Sequence, residues 1–158
     1  MSLHYILDGY NIIKNSHFRK IKNLKDQRLG FIKMLKENKR LGKKANITVV
    51  FDGKKEIDFT YPKDETIEII FTRDETADDW IKRKIKNLKD KKELIVVTDD
   101  KEIALFVRAC SVSHMGVKEF FKKLLPKEFN HDELIKPELS YTEVVKINEE
   151  LRKVWLDK

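Results

Sequence analysis

The sequence predicts an α/β fold in which helices cover both faces of a mainly parallel sheet. Three short apolar runs, at residues 3–8, 46–52 and 94–98, indicate strands, and each of them ends at or just before an aspartate. Helical patterns alternate with these runs, which is typical of parallel sheets whose crossover connections are helices. The chain has 158 residues, which is enough for one domain with a sizeable core.

The predicted elements follow the order β-α-β-β-α-β-α-β-α. The first strand, about residues 3–8, ends at Asp8, and Gly9 then permits a tight turn with positive φ. The first long helix covers roughly residues 27–41. Four apolar side chains at helical spacing form its buried stripe: Phe31, Ile32, Met34 and Leu35.

The second and third strands are predicted at about 46–52 and 66–71, with a loop at 53–65 between them. This loop combines basic residues, Lys54 and Lys55, with aromatic ones, a combination that can hold phosphates and stack bases. A loop whose aromatic side chains are tucked onto the core explains the same pattern equally well.

The next helix opens within residues 72–80 and reaches about residue 88. Its apolar stripe is formed by Ala77, Ile81, Ile85 and Leu88. At 100° per residue, Asp78 lies beside this stripe and should point toward the sheet, whereas Asp79 should face solvent. An inward carboxylate without a basic partner in its own helical turn is costly unless something pairs with it, and a metal ion is one such partner.

The remaining elements complete the alternation. A strand is predicted at about 94–98, a helix at about 100–109, a weak strand at 110–113 and a helix at about 117–125. A capping box at 140–143 opens a final helix, about 140–156, which we expect to pack onto the α/β layers. The prediction is therefore a single domain spanning residues 1–158.

Composition narrows the class of protein. The net charge of +7 and pI near 9.3 favour a polyanionic partner, although a merely solvated basic surface fits them as well. The single cysteine, Cys110, excludes an intrachain disulfide and a Cys-rich zinc site. The sequence contains no apolar run of membrane-spanning length, no signal-peptide pattern and no glycine-rich phosphate loop. We therefore expect a cytoplasmic protein without a membrane partner.

The aspartates carry the chemical hypothesis. If the sheet is parallel, Asp8, Asp52, Asp78 and either Asp99 or Asp100 reach the same edge. Crowded carboxylates raise one another's pKa or recruit cations, and oxygen ligands without a His or Cys cluster favour magnesium or manganese. A single aspartate at a strand end is more often a turn or cap residue; their recurrence at one edge is what indicates a phosphodiesterase site.

Four motifs occur in order along the chain: L-D-G-Y-N-I-I at 7–13, V-V-F-D at 49–52, I-F-T with E-T-A-D at 70–78, and V-T-D-D at 97–100. Together they resemble the YacP-like NYN domain family of the PIN-like nuclease superfamily. The resemblance implies a PIN-like three-layer α/β/α sandwich with about five strands, and metal-dependent cleavage of RNA. In the bacterial branch of the family it implies ribosome-associated endonucleolytic cleavage of messenger RNA.

The resemblance also implies roles for individual residues. Asp8 and Asn11 match the Asp and Asn of the family's D-G-Y-N motif, with Asn11 orienting a carboxylate or a phosphate. Asp52 matches the second-strand Asp and would assist from outside the set of metal ligands. Asp78 matches the last position of E-T-A-D, in agreement with its place on the helix.

The last motif departs from the family pattern. Asp100 matches the Asp of the family's T-S-D motif, and Asp99 stands where that motif has Ser. Either could be the ligand, and we favour Asp100. The implied metal ligands are then Asp8, Asp78 and Asp100, with Asp99 as the alternative to Asp100.

The resulting hypothesis is a magnesium- or manganese-dependent endoribonuclease. Near the acidic edge, Lys54, Lys55, Arg73 and Lys101 are the candidates for RNA phosphate contacts. One alternative is a noncatalytic RNA- or ribosome-binding module on the same fold. Another is an exonuclease or flap-type DNA nuclease. The sequence shows no extra segment that would thread a DNA end, which argues against this alternative.

Overall fold

The computed structural model describes residues 3–38, 40–41, 44–53 and 65–125. Its strands are β1 (His4–Asp8), β2 (Asn46–Phe51), β3 (Ile67–Phe71), β4 (Leu94–Val97) and β5 (Ser113–Met115). Its helices are α1 (Gly9–Lys14), α2 (Leu24–Glu37), α3 (Ala77–Asn87), α4 (Lys101–Ala109) and α5 (Val117–Leu124), with a 3₁₀ turn at His17–Lys20. Within this part of the chain, the strands form one parallel sheet in the order β3-β2-β1-β4-β5.

The central strand β1 fixes the register of the sheet. Leu7 pairs with Val49 of β2 on one side and with Val97 of β4 on the other. These strands are continuously apolar because helices cover both faces of the sheet, as expected for parallel strands.

Two apolar clusters lie on opposite faces of the sheet. One contains Tyr5 and Leu7 together with the buried faces of α1, α2 and α5. The other contains Ile6 and the buried faces of α3 and α4. The predicted three-layer α/β/α arrangement is therefore confirmed, and the predicted stripe of α2 is buried in the first cluster.

Three element boundaries differ from the predictions. Helix α1, which begins directly after Asp8, was not predicted from the sequence. Helix α2 covers Leu24–Glu37 instead of 27–41, because the side chain of Asn23 accepts the backbone N–H of Asp26 at 2.8 Å and caps an earlier start. Strand β5 lies at Ser113–Met115 instead of 110–113, because the turn that ends α4 occupies the preceding residues, with Ser111 at φ 62°.

Gly9 is required for a different reason from the predicted one. It begins α1 without a positive φ, and among the described glycines that conformation occurs at Gly53 (φ 109°). A Cβ atom at Gly9 would lie 2.5 Å from the Phe51 ring, so close packing between α1 and β2 is what demands a glycine.

Some predictions fall outside the described residues. These are the loop carrying Lys54 and Lys55 and the final helix at 140–156, so the single-domain assignment stays a prediction. In the ranges that are described, the structure contains no helix long and apolar enough to cross a bilayer.

Candidate active site

Three aspartates meet at the C-terminal edge of the sheet, each from a different element. Asp8 is the last residue of the central strand β1, Asp78 lies in the first turn of α3, and Asp100 precedes α4 as its N-cap. Thr98 follows β4, the neighbour of β1, and its hydroxyl donates to Asp8 Oδ2 at 3.1 Å. We call Asp8, Asp78 and Asp100 the acidic cluster.

Asp8 is the most perturbed member of the acidic cluster. Burial raises the pKa of its carboxyl to about 6, and the charges of Asp78 and Asp100 act in the same direction. The hydrogen bond from Thr98 opposes this rise. The backbone N–H of Asn11 also lowers the pKa of Asp8, although it is not aligned for a regular capping hydrogen bond. Asp8 therefore carries a charge that its surroundings only partly compensate.

Asp78 is half-buried and Asp79 is exposed, as the position of each on the helix predicts. Burial raises the pKa of Asp78, Lys82 lowers it, and the charge of Asp100 raises it further. The sequence predicts no basic partner for Asp78 in its own helical turn, but one lies in the next turn, where Lys82 Nζ is 3.8 Å from Asp78 Oδ2. Its Oδ1 is buried and has no hydrogen-bond partner among the described residues.

Asp99 and Asp100 have different surroundings. Asp100 Oδ1 accepts the N–H groups of Glu102 (2.9 Å) and Ile103 (3.2 Å), and its charge raises the pKa of both Asp8 and Asp78. Asp99 is exposed, and its Oδ1 accepts the N–H of Val117 at the start of α5. Of these two aspartates, Asp100 is thus the one whose charge acts on Asp8 and Asp78. Its role as a metal ligand stays a prediction.

Asn11 and Asp52 occupy the neighbouring turns. The Asn11 side chain accepts the backbone N–H of Asp99 at 2.8 Å and so holds the turn that leads into α4. Asp52 directly follows β2 and is exposed, and it is not among the charges that perturb Asp8. The structure therefore gives Asn11 a positioning contact with the acidic edge and leaves Asp52 in solvent.

Of the four basic candidates, two are described. Arg73 is exposed in the turn before α3 and has a φ of 57°. Its backbone N–H donates to the carbonyl oxygen of Gly53 at 3.0 Å. Lys101 is exposed at the first position of α4. Lys54 and Lys55 lie outside the described residues.

Two residues of this site, Thr98 and Lys82, were not predicted from the sequence. Thr98 is fully buried and joins Asp8 to the turn before α4, since its Oγ1 also accepts the N–H of Asp100 at 3.1 Å. A hydroxyl residue at the end of an otherwise apolar strand was the available signal. Lys82 could have been found from its i, i+4 spacing to Asp78.

The acidic cluster fits a hard divalent cation in the chemistry of its donors. All are carboxylate oxygens, and a cation would pair with the unpartnered Oδ1 of Asp78 and balance the partly compensated charge of Asp8. However, within the described ranges no three His, Cys, Asp or Glu side chains are already close enough to form a metal site. Residues that would hold the ion are therefore present, but they are not preassembled into a cage.

Comparisons with known proteins agree with this fold. The model of the YacP-like NYN domain family matches residues 5–158. A crystal structure of Rae1 (YacP) from Bacillus subtilis is 21% identical, covers 99% of this chain and 83% of its own, and has a TM-score of 0.63. A mutant of the same protein gives 18% identity, 97% and 92% coverage and a TM-score of 0.56. No curated protein sequence matches the chain. The predicted PIN-like fold is confirmed.

Proposed function

The chain belongs to the YacP-like NYN domain family, and on that basis we propose that it is a metal-dependent endoribonuclease. Family membership supports a nuclease that acts on RNA. The observation that supports metal dependence is the acidic cluster, in which Asp8 is buried beside the charges of Asp78 and Asp100. Buried like charges of this kind are stable when a cation is shared between them.

Each residue has a definite task in this proposal. Asp8 and Asp78 would hold a Mg²⁺ or Mn²⁺ ion, and the carboxylate oxygen of Asp100 that does not cap α4 would be a third donor. The bound ion supplies charge neutralisation at the RNA phosphate and activation of water. Thr98 fixes the Asp8 carboxylate by its 3.1 Å hydrogen bond, and the net charge of +7 attracts the polyanionic substrate.

The finer identity of the substrate is also part of the proposal. The family resemblance of the sequence motifs is the support for messenger RNA on the ribosome as the natural target. A messenger RNA substrate in turn implies that the protein works in the cytoplasm.

Two observations favour a second candidate, a noncatalytic RNA-binding module on the same fold. Within the described ranges, the acidic side chains do not form a ready metal site. Lys82 Nζ lies 3.8 Å from Asp78 and 3.0 Å from Glu102, so a protein cation already partly neutralises this side of the cluster.

A circular, fluorescently labelled RNA separates these candidates. Purified protein is incubated with it in manganese, in magnesium and in excess chelator. Linear products that require the metal support an endoribonuclease, because an exonuclease has no end from which to start. RNA binding without cleavage in either metal, on free RNA and on ribosome-bound message, would establish the binding module instead.

A further inference from the structure

A groove adjoins the acidic edge of the sheet on one side of α4. Its volume is about 330 Å³, in the range of sites that hold small ligands or single units of a polymer. One helix face, the turn before α4 and strand β5 together provide its lining, which consists of Asp99, Lys101, Ala104, Leu105, Arg108 and His114.

The helix face in this groove combines two cations with an apolar side chain. Lys101 and Arg108 are exposed and lie two turns apart, about 10 Å along the axis of α4. Leu105 lies between them and is 66% exposed. Cations that bind phosphates, spaced around an apolar contact surface, match the alternation of phosphate and base in a single RNA strand.

The orientation of Arg108 is linked to the acidic cluster. His114 Nε2 lies 2.7 Å from the carbonyl oxygen of Thr98, and because a carbonyl can only accept, this nitrogen carries the proton. Nδ1 is then free to accept a hydrogen bond from Arg108 Nη2, at 3.5 Å. Thr98 in turn donates to Asp8. The guanidinium group of Arg108 is thus linked, through His114, to the residue that fixes the buried carboxylate.

Asp99 is the acidic residue of the groove, and its charge is partly compensated. Its Oδ1 accepts the N–H of Val117 at 2.9 Å, at the N-terminus of α5, where the helix dipole favours a negative charge. With Lys101 and Arg108 against this one carboxylate, the lining keeps an excess of positive charge.

We propose that this groove binds the RNA strand adjacent to the phosphate at the acidic cluster. Arg108 and Lys101 contact phosphates, His114 positions Arg108, and Leu105 packs against a base. The proposal rests on the proposed function, since it takes RNA as the ligand.

The test is RNA affinity in excess chelator, where cleavage cannot occur, with a short fluorescent single-stranded oligouridine as the probe. Arg108→Gln and Lys101→Gln should each weaken binding by about twofold to fivefold at low salt, as for other exposed ionic contacts. Each should also reduce the slope of log affinity against log salt by about 0.7. Matched controls are Arg19→Gln, on the 3₁₀ turn, and Lys33→Gln, on α2; both residues are exposed in the opposite helical layer.

His114→Ala and Leu105→Ser separate the contacts within the groove. His114→Ala should lower RNA affinity, but it should change the salt slope by less than the loss of one phosphate contact does. The reason is that Arg108 keeps its charge but is no longer oriented by His114. Leu105→Ser should lower affinity and leave the salt slope unchanged. A folded-state check by circular dichroism accompanies each variant, and Arg108→Lys, which keeps the charge, should retain the wild-type salt slope.

The possible results separate a failure of the groove proposal from a failure of the ribonuclease proposal. Wild-type binding with equal affinities for the groove variants and the controls overturns the groove and leaves the ribonuclease proposal intact. Loss of affinity in the groove variants, in a protein that cuts no RNA, supports the groove and overturns the ribonuclease. No RNA binding by the wild type in excess chelator overturns the groove, while the ribonuclease proposal is decided separately by cleavage of the circular RNA in metal.

Discussion

Replacing Asp8 by asparagine should stabilise the metal-free protein at neutral pH. The fold raises the pKa of this carboxyl from 3.8 to about 6, mainly by burial. The native state therefore holds the Asp8 proton more tightly than the unfolded chain does. As the pH rises from about 4 to about 6, ionisation of Asp8 lowers the free energy of unfolding of the wild type.

The size of this effect follows from the difference between the two pKa values. About two pKa units correspond to about 3 kcal/mol, the whole of which is lost above the folded-state pKa. Asparagine carries no charge, and its amide oxygen can still accept the Thr98 hydroxyl that bonds Asp8 at 3.1 Å. The free energy of unfolding of the Asp8→Asn variant should thus exceed that of the wild type by up to about 3 kcal/mol at pH ~8, and the two should be equal near pH ~4.

Urea unfolding in excess chelator, measured across this pH range, gives the free energy of unfolding of the wild type and of the Asp8→Asn variant. Adding Mg²⁺ or Mn²⁺ at about 100 times its Kd should then stabilise the wild type by about 2.7 kcal/mol and leave the variant unchanged. Asp79→Asn, at an exposed position on α3, is the control and should follow the wild type. Parallel pH profiles for the wild type and Asp8→Asn would refute the argument, and an equal response of both to metal would remove Asp8 from the metal site.

Three further outcomes are expected. Asp78→Asn should lower RNA cleavage by orders of magnitude while RNA binding persists, and Asp79→Asn should leave the rate unchanged; equal losses in a gel assay would contradict the orientation of α3. Gly9→Ala should destabilise the fold by about 1–3 kcal/mol in urea unfolding, because its Cβ would overlap the Phe51 ring; unchanged stability would show that α1 can shift. RNA affinity should fall steeply as salt rises, given the net charge of +7, and a flat titration between low and moderate salt would mean that the basic surface is only solvated.

The sequence by itself determined the fold class and the side of each helix that is buried. Continuous apolar strands alternating with helical stripes predict a parallel sheet covered on both faces, and that is the arrangement found. Because helical periodicity is local, it also placed Asp78 partly inward and Asp79 in solvent. Helix α1 was not predicted, because it is too short to show a helical period and no side-chain hydrogen bond caps its start.

Tertiary structure alone decided how the aspartates are held. The hydrogen bond from Thr98 to Asp8 joins residues 90 positions apart and exists because β4 pairs with β1. The same pairing brings the turn before α4 to the acidic edge, where Asp100 acts on Asp8 while Asp99 bonds the start of α5. Periodicity along the chain carries no information about which strands become neighbours. The order of the strands, and with it the surroundings of each carboxylate, therefore emerges only when the layers pack.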